Sequence, residues 1–335
     1  MRVAVIGAGG WGTALSVVAA RAGQEVRLWS RNASVVEDIN VKRVNGTYLE
    51  GCAVPAGVWA TTEAGEALKG AEVVVLAAPS HATRALLEGM RRLFEPGAVF
   101  VSATKGVEVE TGRRISEVVG EVLGEAAAGR FACLSGPSFA QEVAAGQPTA
   151  VVASSRDESL ARLVQRALSA QSFRVYTNPD VVGTELGGAS KNVMALAAGM
   201  VAGLGLGANT VSALVTRGLA EMTRLALAEG GRPETLMGLA GLGDLVLTCT
   251  GGLSRNRFVG QELGRGRALE DVLAGMREVA EGVRTTRAIR LLADRRGVEM
   301  PIAEEVHAVL YDGKPARAAV ESLISRPLKE EFEKQ

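Results

Sequence analysis

The stretch LGGASKNVMALAAG (186–199) sets a lysine and an asparagine, Lys191 and Asn192, among glycines, alanines and apolar residues. Read as a helix that begins near Gly187, it aligns Lys191 with Gly187 and Gly188 on one face of small side chains. Small neighbours allow another backbone, or a ligand, to approach the amine closely. The spacing therefore predicts that the Lys191 amine contacts another part of the backbone or a ligand.

The common alternative is that a helical lysine extends its amine into solvent, and this alternative remains open for Lys191. Against it stand the apolar flanks and the position of the segment at the start of a second domain. A substrate is expected in the cleft between two domains. Desolvation there disfavours the ammonium form and lowers its pKa, so the amine can exchange a proton with an alcohol or a carbonyl.

The stretch 241–260 carries polar groups that could hold an anion. Ser254, Arg255 and Asn256 are consecutive and offer a hydroxyl, a guanidinium and an amide, a donor set that grips phosphate with the arginine as a bidentate fork. Asp244 is a lone carboxylate in a glycine-rich turn. Each has a simpler alternative, which is a solvated helix start for 254–256 and a helix N-cap for Asp244.

The amino-terminal sequence has the pattern of a dinucleotide site. An apolar strand (2–6) runs directly into GAGGWG, with Gly7, Gly9 and Gly12 at the G-x-G-x-x-G positions. The first glycine permits the tight turn, the second lets the backbone approach a pyrophosphate, and the third lets helix and strand pack closely. Because strand, glycines and helix follow in this order, a dinucleotide is favoured over a plain glycine turn.

The residues after the second predicted strand indicate which dinucleotide binds. That strand ends at Trp29 and is followed by Ser30 and Arg31, where NAD-preferring sites usually carry an acidic residue for the ribose 2′-hydroxyl. An arginine accommodates a 2′-phosphate instead. We therefore expect NADPH to be preferred over NADH, the alternative being that Arg31 is a solvated loop residue.

Later predicted strands also end in polar or small residues, at the edge where doubly wound sheets bind ligands. SATKG (102–106) places Lys105 beside a glycine, and LSGPSFA (134–140) supplies the backbone of Gly136 and the hydroxyl of Ser138. Lys105 could reach a phosphate or a substrate oxygen, or it could be an exposed loop lysine. Gly136 and Ser138 could contact an oxyanion or a hydroxyl.

These residues require a scaffold of strands and helices that brings them together. Strand-like runs occur at 2–6, 25–29, 72–77, 98–103, 130–135 and 150–154, with a further candidate at 173–176. Helical patterns lie between several of these strands, at 11–22, 82–93 and 115–123. After residue 183 the patterns are helical only, at 188–203, 210–229, 257–263, 268–276, 283–295 and 302–310. We predict an α/β fold, a Rossmann-like, doubly wound, mostly parallel sheet in residues 1–183 followed by an all-helical substrate-binding domain in 184–335.

Composition excludes several other classes of protein. The 335 residues carry 37 basic and 37 acidic side chains, a formal net charge of zero, which offers no general field for nucleic acid or an anionic membrane. Three scattered cysteines and two histidines predict neither a metal site nor a disulfide framework. Without a signal peptide or an apolar run of membrane-spanning length, a cytoplasmic protein is expected.

Seven sequence blocks, taken in order, resemble the bacterial NAD(P)-dependent glycerol-3-phosphate dehydrogenases over essentially the whole chain. The blocks are GAGGWGTAL (7–15), GPSFAQEV (136–143), ELGGASKNVMALAAG (185–199), TRGLAEM (216–222), GLGDLVLTCT (241–250), SRNR (254–257) and VAEGVRTT (279–286). Three positions depart from the family pattern, with Gly10 where serine is frequent, Ser190 where leucine is usual and Ala208 where an acidic residue is usual.

The resemblance implies reversible hydride transfer between sn-glycerol 3-phosphate and dihydroxyacetone phosphate, with Lys191 as proton donor and acceptor and no metal. It also implies a supply of glycerol 3-phosphate for phospholipid synthesis. The implied substrate-binding residues are Lys105, Gly136, Ser138, Lys191, Asp244, Ser254, Arg255 and Asn256. The implied cofactor-binding residues, beside Gly7, Gly9 and Gly12, are Gly10, Trp11, Arg31, Lys105, Ala140, Arg255, Val279 and Glu281.

Two other functions remain as alternatives at this point. One is a lysine-dependent hydroxyacid or 6-phosphogluconate type of dehydrogenase, which the phosphate-gripping residues and the ordered blocks disfavour. The other is a non-catalytic nucleotide-sensing regulator, which the presence of both Lys191 and Asp244 disfavours. The oligomeric state is open, with a homodimer as one alternative.

Overall fold

The computed structural model describes residues 1–276, 280–328 and 330–331. The strands all lie in the first part of these residues. They are β1 (Arg2–Ile6), β2 (Glu25–Trp29), β3 (Val44–Asn45), β4 (Leu49–Ala53), β5 (Val58–Thr61), β6 (Val73–Leu76), β7 (Val99–Ser102), β8 (Phe131–Ser135), β9 (Thr149–Ser154) and β10 (Phe173–Asn178).

Within the described residues, eight strands form one sheet in the order β10-β9-β8-β7-β6-β1-β2-β5. Every neighbouring pair is parallel except β8 with β9, which is antiparallel. β6, β7 and β8 are buried along their whole length. Their unbroken apolar sequences follow from helices that cover both faces of a parallel sheet. The mostly parallel α/β prediction is confirmed.

Helices fill the spaces between the strands and make up the second half. They are α1 (Gly10–Arg21), α2 (Ala33–Glu37), α3 (Ala64–Leu68), α4 (Ser80–Met90), α5 (Ile115–Leu123), α6 (Glu125–Ala128), α7 (Ala140–Ala144), α8 (Glu158–Leu168), α9 (Val181–Gly203), α10 (Ala208–Ala228), α11 (Pro233–Met237), α12 (Asp244–Thr250), α13 (Arg255–Gly264), α14 (Leu269–Ala274), α15 (Glu281–Arg296), α16 (Pro301–Tyr311) and α17 (Ala316–Ile324). Two π-helical turns, Asp38–Lys42 and Leu239–Gly243, complete the described elements. No described helix is long and apolar enough to cross a bilayer.

The predicted strands are all present, but three others were missed. β3 and β4 form a separate small antiparallel pair, and β5 joins the edge of the main sheet beside β2. β3 has two residues, and β4 holds a glycine, Gly51, at φ +77°. Such short, irregular strands lack the continuous β-branched pattern on which strand prediction depends.

The helix that carries Lys191 begins earlier than the sequence suggested. Its first residue is Val181 rather than one near Gly187, and the Asp180 side chain caps it by accepting a hydrogen bond of 2.8 Å from the Gly183 backbone N–H. Lys191 therefore lies in the middle of a 23-residue helix. Nearly all of α9 is buried, so the helix forms the centre of the second half and not its edge.

The small residues of α9 allow helix α13 to pack directly against it. A Cβ added at Gly199 would lie 2.1 Å from the carbonyl oxygen of Arg257, and one at Gly260 would lie 2.0 Å from that of Leu196. Side chains at these positions would force the helix backbones apart. The glycines thus determine how closely Lys191 on α9 approaches the polar residues at the start of α13.

Candidate active site

A cleft of about 1240 Å³ opens at the carboxyl ends of β1, β2, β6, β7 and β8 and extends to α9, α12, α13 and α15. Most of the residues predicted for a site line it. These are Gly7, Gly9, Gly10, Trp11, Arg31, Lys105, Ser138, Ala140, Lys191, Asp244, Ser254, Arg255, Asn256 and Glu281.

Two predicted residues are not among those that line the cleft, and a third, Val279, falls outside the described residues. Gly12 packs beneath the glycine turn, and Gly136 lies under Lys105 and accepts a hydrogen bond of 3.1 Å from its Nζ. Gly136 has φ +138°, and a Cβ there would lie 2.9 Å from the Cα of Val151. Its glycine identity is thus required by the backbone itself.

The glycine turn between β1 and α1 leaves room for a ligand. Gly7 has φ +114°, and a Cβ at Gly12 would lie 1.8 Å from the carbonyl oxygen of Gly7, so both must be glycine for the chain to fold here. A Cβ at Gly9 would meet no described atom within 4 Å. Packing within the protein therefore does not explain Gly9, whereas a pyrophosphate at the N-terminus of the 12-residue helix α1 does. The residues present fit a dinucleotide.

Lys191, Asp244 and Lys105 form a connected group at the other end of the cleft. The Nζ of Lys191 donates to Asp244 Oδ1 at 2.5 Å, and the Nζ of Lys105 donates to Asp244 Oδ2 at 3.0 Å. Lys191 also donates to the hydroxyl of Thr248 at 3.0 Å. Asp244 is the first residue of α12, and the N-cap is Gly243. The Asp244 carboxylate accepts hydrogen bonds from the two lysines instead, so the N-cap alternative is wrong for this residue.

Burial and the neighbouring charges set the proton affinities of this group. Lys191 is 5% exposed, and desolvation lowers its pKa to about 8; Asp244 opposes this shift and the Lys105 ammonium adds to it. For Asp244, burial alone would raise the pKa, but the two ammonium groups outweigh burial and hold the pKa below its ordinary value. The group therefore contains an anionic aspartate and a lysine poised to lose or gain a proton near neutral pH.

Two further residues complete this group, and the sequence reading did not assign them. The hydroxyl of Thr248 donates to the Asp244 carbonyl oxygen at 2.6 Å while it accepts from Lys191. The Nδ2 of Asn192 donates to the Lys105 carbonyl oxygen at 2.9 Å. Thr248 follows Asp244 by four residues, so reading 244–250 as a helix would have placed both on one face.

The start of α13 forms a polar wall beside the lysines. Ser254 is the N-cap, and its Oγ accepts a hydrogen bond of 3.2 Å from the Arg257 backbone N–H, which fixes the helix end. The Asn256 amide is buried, donating to Asn192 Oδ1 at 3.0 Å and accepting from the Gly282 backbone N–H at 2.9 Å. Arg255 is an exposed residue that lines the cleft.

Glu281 and Trp11 also line the cleft. Burial raises the pKa of Glu281 to about 7, although the guanidinium of Arg255 and the two lysines act to lower it. The indole of Trp11 donates to the carbonyl oxygen of Ala103 at 3.1 Å, and the Lys105 ammonium lies 5.6 Å from the centre of its ring. Trp11, at the glycine turn, therefore lies near Lys105 of the lysine group.

A cleft that joins a glycine-rich turn of the dinucleotide-binding type to a buried lysine paired with an aspartate fits a dinucleotide-dependent oxidoreductase. Comparison with known proteins specifies the family. The N-terminal model of the NAD-dependent glycerol-3-phosphate dehydrogenases matches residues 2–161, and their C-terminal model matches residues 180–321. The chain belongs to the NAD(P)-dependent glycerol-3-phosphate dehydrogenase family.

Individual relatives are similar in sequence to this chain over nearly its full length. Glycerol-3-phosphate dehydrogenase [NAD(P)+] of Koribacter versatilis is 56% identical over 328 residues, 97% of each chain. The protein of the same name from Geobacter sulfurreducens is 53% identical over 98% of each chain. A crystal structure of glycerol-3-phosphate dehydrogenase from Coxiella burnetii superposes with a TM-score of 0.92 at 40% identity, covering 97% of this chain and 99% of that one.

Proposed function

We propose that this protein interconverts sn-glycerol 3-phosphate and dihydroxyacetone phosphate with NAD(P)H, and that Lys191 is its general acid and base. The observation that carries the proposal is the buried Lys191–Asp244–Lys105 group, which shares a cleft with the polar start of α13. The names of the relatives, each a glycerol-3-phosphate dehydrogenase, support the substrate.

The chain's own residues move the proton. Hydride transfer to the ketone carbon, or from the alcohol in the reverse direction, is the chemistry that a nicotinamide would supply when bound. Asp244 and Thr248 take two of the three N–H groups of the Lys191 ammonium, which leaves the third for a substrate oxygen. Lys191 protonates the alkoxide that develops during reduction and removes the hydroxyl proton during oxidation. Asp244 remains charged throughout and holds both lysines in place.

The remaining predicted residues bind and orient the ligands. Ser254, Arg255 and Asn256 would hold the substrate phosphate, so binding energy away from the reacting carbon fixes its position. The proposed substrate contacts are Lys105, Ser138, Lys191, Asp244, Ser254, Arg255 and Asn256, with Gly136 supporting Lys105 from below. The proposed cofactor contacts are Gly7, Gly9, Gly10, Trp11, Arg31, Lys105, Ala140, Arg255 and Glu281, with Gly12 supporting the turn, while Val279 stays a prediction.

The proposed division of labour follows the two halves of the chain, a dinucleotide-binding domain in 1–183 and a helical substrate domain in 184–335. Packing at the start of α9 supports this boundary, because Val181 packs in the core on the sheet side while Leu186 packs in the helical core. Three buried free cysteines support a reducing, cytoplasmic setting. There the enzyme would supply glycerol 3-phosphate for phospholipid synthesis.

A direct assay tests the proposed reaction. NADPH or NADH consumption is followed by absorbance with dihydroxyacetone phosphate, and NADP⁺ reduction is followed with glycerol 3-phosphate. The same assays with 6-phosphogluconate and with a short 2-hydroxy acid test the other dehydrogenase class. Turnover only with those substrates, or with none of them, would reject the proposal.

The pH dependence of reduction is expected to show the proton affinity of Lys191. Its pKa of about 8 means that the ammonium donor is present below that pH and disappears above it, so kcat/KM for reduction should fall about tenfold per pH unit above pH 8. The substrate phosphate does not interfere, because its second pKa is about 6. A level profile from pH 7 to pH 10 would contradict the assignment.

Arg31 is expected to determine the preference for NADPH. It is exposed at the cleft just after β2, where a 2′-phosphate would lie, and the loss of charge-assisted hydrogen bonds in Arg31→Ala should raise KM for NADPH by roughly 10- to 100-fold. KM for NADH should change little. Arg156→Ala is the matched control, because it removes an exposed positive charge from the loop between β9 and α8. Equal effects on both cofactors would refute the role.

A further inference from the structure

The loop between β7 and α5 (residues 103–114) carries Lys105 and is anchored in both halves of the molecule. Val107 follows Lys105 by two residues, after the chain has left strand β7. Its side chain packs in the core of the helical half. Val107 is 0% exposed and packs in the same apolar cluster as Leu186, Val193 and Ile289. A residue of the sheet half thus completes the core of the helical half.

The backbone that follows the Lys105 side chain is in close contact with its surroundings. Asn192 Nδ2 donates to the Lys105 carbonyl oxygen at 2.9 Å. The next residue, Gly106, has no space for a side chain, because an added Cβ would lie 2.8 Å from the Ser80 hydroxyl and 3.4 Å from that of Thr285. The loop is therefore enclosed between the start of α4 and helix α15.

A second anchor ties the same loop to the sheet half. Glu108, which is 6% exposed, accepts two hydrogen bonds from the guanidinium of Arg84, at 2.7 and 3.0 Å. The hydroxyl of Thr111 donates to the same carboxylate at 2.5 Å. Val107 and Glu108 are adjacent, so consecutive residues fasten the loop to opposite sides of the cleft.

The anchoring matters because Lys105 joins residues that are distant in the chain. Its Nζ reaches Asp244, 139 residues later, and also the carbonyl of Gly136 and the hydroxyl of Ser138. A lysine side chain has four rotatable bonds, so holding its amine against these partners costs conformational entropy, and a fixed backbone keeps that cost low. We propose that Val107 is a positioning residue, whose insertion into the helical core fixes Lys105 against Asp244 for proton transfer.

This inference rests on the proposed function, and a double-mutant cycle tests it separately. In the otherwise unchanged protein, Val107→Ala should lower kcat/KM for dihydroxyacetone phosphate about 10-fold through misplacement of Lys105. In the Lys105→Met background the same change should have less than about a twofold effect, because the group it positions is already gone. Equal losses in both backgrounds would overturn the proposal.

The pH profile supplies a readout that general loosening of the core would not move. The Lys105 ammonium is one of the charges that lower the pKa of Lys191, so its displacement in Val107→Ala should shift the fall in kcat/KM to higher pH. Val306→Ala removes the same groups from a buried site of the same core, on α16, and should leave the profile unchanged. An unshifted profile in Val107→Ala would contradict the role.

Chemical labelling follows the position of Lys105 without reference to turnover. Limited acylation, with each modified lysine quantified by peptide mass spectrometry, should label Lys105 several-fold faster in Val107→Ala, with exposed Lys42 as the internal reference. Glu108→Gln weakens the contact with Arg84 and should also speed the labelling of Lys105, to a smaller degree. This variant keeps the anchoring of the loop testable if Val107→Ala does not fold. Unchanged Lys105 labelling in the folded variants would reject the proposal even if the dehydrogenase reaction is confirmed.

Discussion

Lys191→Ala is expected to lower kcat for dihydroxyacetone phosphate reduction by roughly 10²- to 10⁴-fold, the usual contribution of a positioned general acid. The variant removes the amine whose Nζ lies 2.5 Å from Asp244 Oδ1 inside the cleft, and water in its place is a far weaker acid than the ammonium. The glycine turn at the other end of the cleft is untouched, so NADPH should still bind. Steady-state kinetics in both directions and a fluorescence titration with NADPH measure the two effects.

Lys191→Arg is the matched control for this experiment. It retains the positive charge next to Asp244 but cannot release its proton at working pH, since the pKa of a guanidinium exceeds about 12. It should therefore fold more like the unmodified protein and still turn over slowly. Near-normal turnover of Lys191→Ala at any pH would remove Lys191 from the chemistry. Recovery of activity in Lys191→Arg would mean that charge, not proton transfer, is what the site needs.

The second large effect is expected from Arg255→Ala, which should raise KM for dihydroxyacetone phosphate by roughly 10²-fold. Arg255 lines the cleft at the start of α13, between Ser254 and Asn256, and its guanidinium is the group there that can meet a phosphate with two parallel hydrogen bonds. Initial rates over a wide range of substrate concentration give KM and kcat separately. KM for NADPH is measured in parallel, because Arg255 is also a proposed cofactor contact.

Two controls separate the loss of phosphate binding from general damage. Arg265→Ala removes a charge at the other end of the same helix, where Arg265 pairs with Glu262, and should leave KM unchanged. Dihydroxyacetone lacks the phosphate, so the low kcat/KM expected for it should be nearly the same in Arg255→Ala and in the unmodified protein. If Arg255→Ala weakened both substrates equally, the residue would not be a phosphate ligand.

The sequence by itself determined the fold class and the glycine turn of the proposed dinucleotide site. Gly7 and Gly12 are required by local backbone geometry, so their spacing is readable without the tertiary structure. The buried strands of a parallel sheet are likewise continuous apolar runs, and each of those predicted is present. The blocks near Lys191 and Arg255 indicated the polar residues of the second half. Each of these features depends on residues that are close together in the chain, so a short sequence pattern is enough to predict it.

Only the tertiary structure decided how those residues combine. Lys105 and Lys191 share the two oxygens of Asp244 although they lie 139 and 53 positions away from it, and no spacing along the chain encodes such a pairing. The lowered pKa of Lys191 depends on burial in the assembled helices, and the insertion of Val107 depends on two halves meeting. Long-range packing creates these contacts, because each partner is specified by the three-dimensional fit of distant segments and not by its neighbours in sequence.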